Sequence, residues 1–286
     1  LQIICAVIFL VAYTVYAASS VKACGTLFNT VIGMDETAAM YLASIIIIGY
    51  TFLGGFSAVC WTDFFQGMLM LGALLIAPIF ALFMLQGAGV HPVDTPNYFN
   101  AFGNWKDVVS GLGWGLGYFG MPHILVRFMS IKKPSMIRKS SIVAIVWVII
   151  SLLSAVLIAY LGRMVMGEEL LTVGNQKLVF IAMARKFFPA GICGLLLAAI
   201  IAASISTADS QLLVASSSFT ADLYKPFFHK NATEKETLMV GRVLVLALSV
   251  IAFFIANSKG SGAQAIMDMV ENAWGAFGAS FGPTSL

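Results

Sequence analysis

The sequence contains few charged residues, and this scarcity limits the classes of protein that it can represent. Only 10% of its 286 residues are Asp, Glu, Lys or Arg, whereas an ordinary soluble domain contains about 25%. Hydrophobic residues make up 60% of the chain, and the mean hydropathy is +0.94. The formal net charge of +3 gives no indication of nucleic-acid binding. This composition is typical of a protein embedded in a lipid bilayer.

Metal-ligating, redox and nucleotide-binding patterns are also lacking. The four cysteines are scattered without a CxxC pair, which favours buried small side chains over a zinc site or a disulfide framework. His123 directly follows Pro122 and has no partner at metal-ligand spacing, so a packing role is favoured for it. No Walker motif occurs, and the sequence therefore does not predict a process driven by ATP.

Long apolar runs dominate what the sequence does contain. Several extend over about 18 to 25 residues, enough to cross the hydrocarbon core as helices, and their continuity excludes a β-barrel. We predict seven spans and an incomplete eighth, at residues 1–27, 37–61, 64–85, 108–131, 142–166, 188–219 and 238–255 and from Ala263 onward. A tight turn at residues 61–63 separates the second and third spans, and residues 178–186 form a short amphipathic helix before the sixth.

Basic residues are concentrated in two connections between the predicted spans. These are residues 127–139 and 225–242, and the positive-inside rule assigns both to the cytoplasm. Both ends of the sequence lie in apolar runs, so we expect an internal piece of a longer protein, without its N-terminal helices and C-terminal end. We expect residues 1–286 to form a single transmembrane domain of a multi-pass protein, in the cell membrane of a bacterium or archaeon.

The fourth predicted span combines five glycines with Pro122 in the stretch SGLGWGLGYFGMPHIL. Glycine costs a helix about 1 kcal/mol relative to alanine, and proline about 3 kcal/mol. We therefore predict a break at membrane depth, and such broken helices indicate the substrate site of a transporter. The alternative is close glycine-mediated helix packing. Trp114 and Tyr118, four residues apart, could line an apolar substrate pocket or belong to an interfacial aromatic belt.

The sixth predicted span carries hydroxyl groups and a lone aspartate inside an apolar run. At helical spacing Ala203, Ser206, Thr207 and Ser210 share one face, and Asp209 lies beside Ser206 and Ser210. Neutral oxygens next to one carboxylate suit a dehydrated hard cation. A charge at mid-span costs about 2.5 to 3.5 kcal/mol, and the alternative for Asp209 is a place near the cytoplasmic interface. The pattern favours ion-coupled transport.

Asp63, at the predicted turn, has three possible roles. It could cap the helix of the following span, or complete a cation exit site together with Asp209. An intramembrane aspartyl protease would instead use Asp63 and Asp209 as its dyad. Against it, Asp63 sits at the predicted turn, no glycine immediately precedes Asp209, and the hydroxyl stripe would go unexplained. A passive channel is a further alternative, and it requires a continuous pore.

Four motifs in this order resemble the sodium:solute symporter family. They are YTFLGGFSA at 50–58, WTD at 61–63, GWGLGYFGMPHILVRFM at 113–129 and STADSQLL at 206–213. The third is most similar to the sodium/proline symporters of that family. The resemblance covers essentially the whole chain and implies an all-α polytopic membrane protein, a partial LeuT-like inverted-repeat helix bundle. The broken helix of the first repeat is not in this sequence, so the resemblance implies only part of the binding site.

The resemblance also implies ion-binding residues. The main sodium site of the family falls on the carbonyl of Ala203 and the hydroxyls of Ser206 and Thr207. Some members have a second sodium site, which falls on Asp63, Ser206, Asp209 and Ser210. Many members have serine where this chain has Asp209.

For the substrate, the resemblance to proline-type members implies a pocket lined by Tyr16, Trp114 and Tyr118, with Pro122 shaping the break. Met121 stands where glutamine is expected. We therefore expect a secondary active transporter, not an enzyme, that couples inward sodium movement to L-proline uptake by alternating access. Sodium is the expected bound metal and cofactor, and the expected partners are L-proline, sodium and the bilayer, without nucleic acid. The alternatives are a symporter for another small amino or carboxylic acid and the aspartyl protease.

Overall fold

The computed structural model describes residues 2–85, 98–100, 102–172, 175–258, 260 and 263–285. The described residues form ten α-helices. They are α1 Gln2–Ile32, α2 Glu36–Leu85, α3 Trp105–Gly117, α4 Pro122–Met129, α5 Ile137–Met166, α6 Glu169–Thr172, α7 Val179–Phe187, α8 Ala190–Ser218, α9 Glu234–Ser258 and α10 Ala263–Ser285. A π-helix, Phe219–Phe228, follows α8 directly. The all-helical prediction is confirmed.

Within the described residues, five helical segments are long and apolar enough to cross a membrane. They are Gln2–Ile32, Val59–Phe83, Pro134–Met166, Ala190–Phe228 and Glu234–Ser258. Large apolar side chains remain exposed along these segments, for example Leu152 and Val156 of α5. An apolar surface of this extent suits contact with lipid. The helices predicted for the first, fifth, sixth and seventh spans, and for the lead-in at 178–186, are therefore confirmed.

The predicted turn at Trp61, Thr62 and Asp63 is wrong, because α2 is continuous from Glu36 to Leu85. No glycine or proline interrupts these three residues. The Thr62 hydroxyl donates to the carbonyl of Val59 at 2.9 Å, a bond that fits inside a regular helix. Asp63 accordingly lies within α2, and the interpretation of this residue as a helix cap is also wrong.

The chain divides into two compact units. The first comprises Leu1–Phe65, Gly113–Arg127 and Ala203–Leu286, and the second comprises Gln66–Leu112 and Phe128–Ala202. Every residue predicted for an ion or substrate site belongs to the first unit.

Helix α1 is the central helix of the first unit, where it packs against α9 and α10. Small side chains on α1, including Ala12, Ala17 and Ala18, are buried, and small residues let membrane helices approach closely. A Cβ atom on Gly25 would lie 2.6 Å from Cγ of Met40, so glycine is needed where α1 meets α2.

A buried ion pair joins the end of α1 to the start of α2. The Lys22 side chain is 3% exposed, and its Nζ lies 3.3 Å from Oε1 of Glu36. The Thr26 hydroxyl donates to the same carboxylate oxygen at 2.9 Å. Gly33, with φ of 73°, allows the left-handed backbone that the connection requires. The buried charge of Lys22 is therefore paired, as buried charges generally are.

The second unit has its own apolar core, formed by α2, α5 and α7. It consists of Ala77, Ala81, Ile158, Leu161 and Met183. A Cβ atom on Gly162 would overlap the side chain of Val179, so this glycine permits the close contact of α5 with α7. None of the predicted site residues belongs to this unit.

Candidate functional site

The fourth predicted span is interrupted where the sequence predicts a break. Helix α3 ends at Gly117, a 3₁₀ turn covers Tyr118–Gly120, and α4 begins at Pro122. Met121 between them is extended, with φ of −90° and ψ of 104°. Proline has no N–H to continue the helix, and glycine has weak helix propensity. The predicted break is therefore confirmed.

Helix α10 packs so closely on this break that only glycine fits at two positions. A Cβ atom on Gly120 would lie 2.7 Å from the carbonyl oxygen of Phe277 and 2.8 Å from the amide nitrogen of Gly282. A Cβ atom on Gly117 would overlap the indole of Trp274. The glycines thus serve both the break and close helix packing, which were alternatives in the sequence. The small-residue segment GAFGASFG of α10, residues 275–282, thus packs closely on the break.

Three aromatic side chains cluster beside the break. The ring centroid of Trp274 lies 5.2 Å from that of Trp114 and 4.7 Å from that of Tyr118, with the Tyr118 ring edge-on. The Trp274 indole N–H donates to the carbonyl of Trp114 at 3.3 Å. The structure therefore brings together Trp114 and Tyr118, two of the three aromatic residues predicted for the substrate pocket. The third, Tyr16, lies on α1 in the same compact unit.

Trp274 was not identified from the sequence. Its position immediately before the small-residue segment GAFGASFG was the available signal, because a large ring next to small residues packs across a close helix contact. Pro122, the remaining residue predicted for the substrate site, is buried at the first position of α4.

The alcohol groups of α8 converge on one carbonyl oxygen. The Ser206 hydroxyl donates to the carbonyl of Ala203 at 3.1 Å, and the Thr207 hydroxyl donates to the same oxygen at 2.8 Å. Both side chains are half-buried. Three oxygen atoms, from Ala203, Ser206 and Thr207, thus lie within one turn of helix, as the sequence predicts for this face. Among the described residues, neither hydroxyl bonds to the helix break.

The predicted second ion site is partly assembled around Ser210. Its hydroxyl donates to Oδ2 of Asp63 at 3.2 Å, although the two residues are 147 positions apart. Its backbone N–H donates to Oδ1 of Asp209 at 2.6 Å. Asp209 is 0% exposed. This burial does not favour the alternative, which places the carboxylate near the cytoplasmic interface.

Gln211 is a further polar residue on this helix that the sequence analysis did not single out. It is 1% exposed, and within the described part of the chain neither atom of its amide has a hydrogen-bond partner. It lies one turn beyond Thr207 on the same face of α8. An amide in the middle of an apolar run was the signal that could have identified it.

Comparisons with known proteins show which family the chain belongs to. The model of the sodium:solute symporter family matches residues 1–286. The chain is 39% identical over 293 residues to the high-affinity proline transporter PutP of Bacillus subtilis, covering 100% of this chain and 61% of the relative. It is 38% identical over 296 residues to the sodium/proline symporter of Escherichia coli, covering 100% of this chain and 58% of the relative.

A solved structure has the same fold. It is the substrate-bound, outward-open state of a Na⁺-coupled sialic acid symporter, with a TM-score of 0.67 and 19% sequence identity. The match covers 95% of this chain and 62% of that chain. The present chain thus spans about three fifths of the length of the curated relatives that it matches.

Proposed function

Because the chain belongs to the sodium:solute symporter family, we propose that it forms part of a secondary active transporter that couples inward sodium movement to L-proline uptake by alternating access. The broken helix at Gly117–Pro122, faced by clustered aromatic rings, carries the proposal. Broken helices supply backbone dipoles for charged substrates at the bilayer midplane. Relatives at 38 to 39% identity are described as proline transporters, which favours proline over other solutes.

The proposed main sodium site consists of the Ala203 carbonyl and the Ser206 and Thr207 hydroxyls. Back-bonds of this kind are common in membrane helices, so the bonds alone do not require a cation. Each hydroxyl donates its one hydrogen, however, and keeps lone pairs for a metal ion. The Ala203 carbonyl already accepts from these two hydroxyls in addition to its backbone hydrogen bond within α8. Sodium binding to this carbonyl therefore requires at least one hydroxyl to rotate away from it.

The proposed second sodium site consists of Asp63, Ser206, Asp209 and Ser210. Ser210 contacts both carboxylates through different atoms, so the oxygen atoms of α2 and α8 are close together here. Burial of a carboxylate is costly inside a membrane. A bound sodium ion would offset part of that cost for Asp209, which is completely buried.

The proposed substrate site is formed by Tyr16, Trp114, Tyr118 and Pro122. The Tyr118 side chain is 55% exposed, which leaves a ring face accessible to a small apolar solute. The pyrrolidine ring of proline would lie against the aromatic side chains. Its carboxylate and ammonium would pair with the backbone groups freed by the break.

The sodium gradient is sufficient to drive such uptake. One coupled sodium ion supplies about 2.3 kcal/mol from a potential of 100 mV, and about 1.4 kcal/mol from a tenfold concentration gradient. The sum of about 3.7 kcal/mol supports accumulation of the solute by several hundred-fold.

The finer architecture belongs to the same proposal. We propose seven complete spans and an incomplete eighth in a partial LeuT-like inverted repeat. Residues 37–61 and 64–85 each have the length of about 20 residues that one crossing requires, and the structure describes them together as the single helix α2. One family model covers residues 1–286, which supports a single transporter domain comprising both compact units.

The aspartyl protease alternative is wrong, because the family and the matched relatives are transporters rather than enzymes. Uptake of labelled L-proline into proteoliposomes containing the full-length protein tests the proposal. We expect uptake that requires an inward sodium gradient and is inhibited by unlabelled proline. Stronger inhibition by another small amino or carboxylic acid would change the assigned solute, and uptake independent of sodium would contradict symport.

A further inference from the structure

Tyr13 of α1 contacts the second half of the broken helix, α4. Its side chain is completely buried, and its hydroxyl accepts a hydrogen bond from the backbone N–H of His123 at 2.9 Å. The same hydroxyl lies 3.2 Å from Nδ1 of the His123 ring. The two residues are 110 positions apart, so this contact is purely tertiary.

The backbone N–H groups at the start of α4 show what this contact supplies. Pro122 has no N–H. The N–H groups of Ile124 and Leu125 both donate to the carbonyl of Met121, at 3.1 and 3.2 Å. The N–H of His123, one of the first N–H groups of α4, donates to the Tyr13 hydroxyl. Helix α4 is therefore capped by a side chain of α1.

The geometry fixes both the position and the orientation of α4. A phenol can accept one hydrogen bond and donate another, so Tyr13 binds the backbone of His123 and can also donate to its ring. The second bond requires the neutral imidazole with its hydrogen on Nε2. The Tyr13 ring also packs on Phe277 at a centroid distance of 4.4 Å, and Phe277 belongs to the segment of α10 that contacts Gly120.

We propose that Tyr13 is a positioning residue for the substrate site, and that its hydroxyl holds the two halves of the broken helix in the arrangement that binds substrate. Tyr13 lies about one helical turn before Tyr16 on α1. Helix α1 thus contributes one tyrosine to the pocket and a second that fixes the break. This inference rests on the proposed function for its substrate, but the contact itself exists independently of the solute.

Tyr13→Phe is the first test, because it removes the hydroxyl and keeps the ring packed on Phe277. In proteoliposomes containing the full-length protein we expect the half-saturation concentration for proline to rise at least fivefold. The half-saturation concentration for sodium should stay within twofold, since the proposed sodium ligands lie on α8 and α2 and do not include Tyr13. Tyr41→Phe is the matched control: Tyr41 stacks on Phe253 in the same compact unit, and we expect this variant to behave as the parent.

Variants of His123 separate the two hydrogen bonds. His123→Asn keeps an acceptor at the position of Nδ1, and we expect a proline half-saturation concentration within twofold of the parent. His123→Leu removes that acceptor but keeps the backbone N–H, so we expect an intermediate increase. The double variant Tyr13→Phe/His123→Leu should be no worse than Tyr13→Phe alone. Additive effects would mean that the two residues act separately, and would overturn the proposal.

A fluorescence measurement tests the contact without reference to proline. In a full-length protein in which every tryptophan other than Trp114 and Trp274 is replaced by Phe, including Trp61, Trp105 and Trp147, the emission reports the two tryptophans at the break. Tyr13→Phe should shift this emission, whereas Tyr41→Phe should not. If the parent fails to transport proline, the proposed function fails, and the emission shift still decides the role of Tyr13.

Three results would overturn the role proposed for Tyr13. The first is an unshifted emission spectrum. The second is a lower amount of folded protein with an unchanged proline half-saturation concentration, which indicates a purely structural role. The third is a lower half-saturation concentration in Tyr13→Phe, which would mean that the hydroxyl competes with the substrate for the His123 N–H.

Discussion

At the scale of single residues, the important groups are polar atoms buried in an apolar chain. The hydroxyls of Ser206 and Thr207, the carboxylate of Asp209 and the amide of Gln211 all lie on one helix. Their residue types and spacing were readable from the sequence, because helical periodicity places residues three and four apart on one face. The contact of Ser210 with Asp63 could not be predicted from helical periodicity, since it depends on the packing of α2 against α8.

Thr207→Ala should weaken the apparent sodium affinity of transport at least tenfold, equivalent to about 1.4 kcal/mol. The substitution removes one proposed oxygen ligand and leaves the helix intact, because alanine has the highest helix propensity. The measurement is the sodium dependence of initial proline uptake. Ser249→Ala is the matched control, because it removes a similar buried back-bond, from the Ser249 hydroxyl to Val245 at 2.8 Å. An unchanged sodium dependence in Thr207→Ala would remove Thr207 from the site.

Trp114→Leu should raise the proline half-saturation concentration, because the substitution removes the aromatic face proposed to contact the pyrrolidine ring. Sodium binding measured in the absence of proline should change little, since the proposed sodium ligands lie on α8 and α2 and do not include Trp114. Direct binding of labelled proline and of sodium to purified protein would compare the two effects. Loss of sodium binding with unaltered proline affinity would contradict the assignment of Trp114 to the substrate pocket.

At the scale of secondary-structure elements, the break between α3 and α4 was predictable and the continuity of α2 was not. The cluster of glycines with Pro122 lowers helix stability locally, so the sequence itself carries the signal. The expectation of a turn at residues 61–63 came from the length of two apolar runs. No residue there disfavours the helix, and the Thr62 back-bond is compatible with it. Trp274 and Tyr13 required the structure, because their partners are distant in the sequence.

Gly120→Ala and Gly111→Ala should have opposite effects on stability, although both glycines lie in the same glycine-rich stretch. A Cβ atom on Gly120 would meet backbone atoms of α10 at 2.7 and 2.8 Å, and backbone cannot move aside as a flexible side chain can. A Cβ atom on Gly111 meets nothing within 4 Å. Gly120→Ala should therefore destabilise the protein, whereas Gly111→Ala should stabilise α3 by about 1 kcal/mol. Thermal unfolding in detergent measures both, and equal effects would contradict the close packing of α10 on the break.

At the scale of the whole molecule, the composition determined the membrane class, and the order of four motifs determined the family. Neither could show how many coupled ions the protein carries, because that number depends on whether both proposed sodium sites, one on α8 and one between α2 and α8, release sodium during transport. The two proposed sites share Ser206, and the second adds two carboxylates, Asp63 and Asp209. The number of coupled ions is therefore a property of the complete transport cycle, and it has a measurable thermodynamic consequence.

Accumulation of proline at steady state measures that number. With a potential of 100 mV and a tenfold sodium gradient, one coupled ion supplies about 3.7 kcal/mol, and two supply about 7.4 kcal/mol. We expect proteoliposomes to accumulate proline several hundred-fold, as predicted when the ion at the main site is transported and the ion at the second site stays bound throughout the cycle. Collapse of the potential alone should lower the ratio by about 50-fold, because it removes about 2.3 kcal/mol. Vesicles without protein control for leakage. A ratio on the order of 10⁵ would contradict single-ion coupling and favour a second coupled sodium ion beside Asp63 and Asp209, whereas insensitivity to the sodium gradient would contradict sodium coupling altogether.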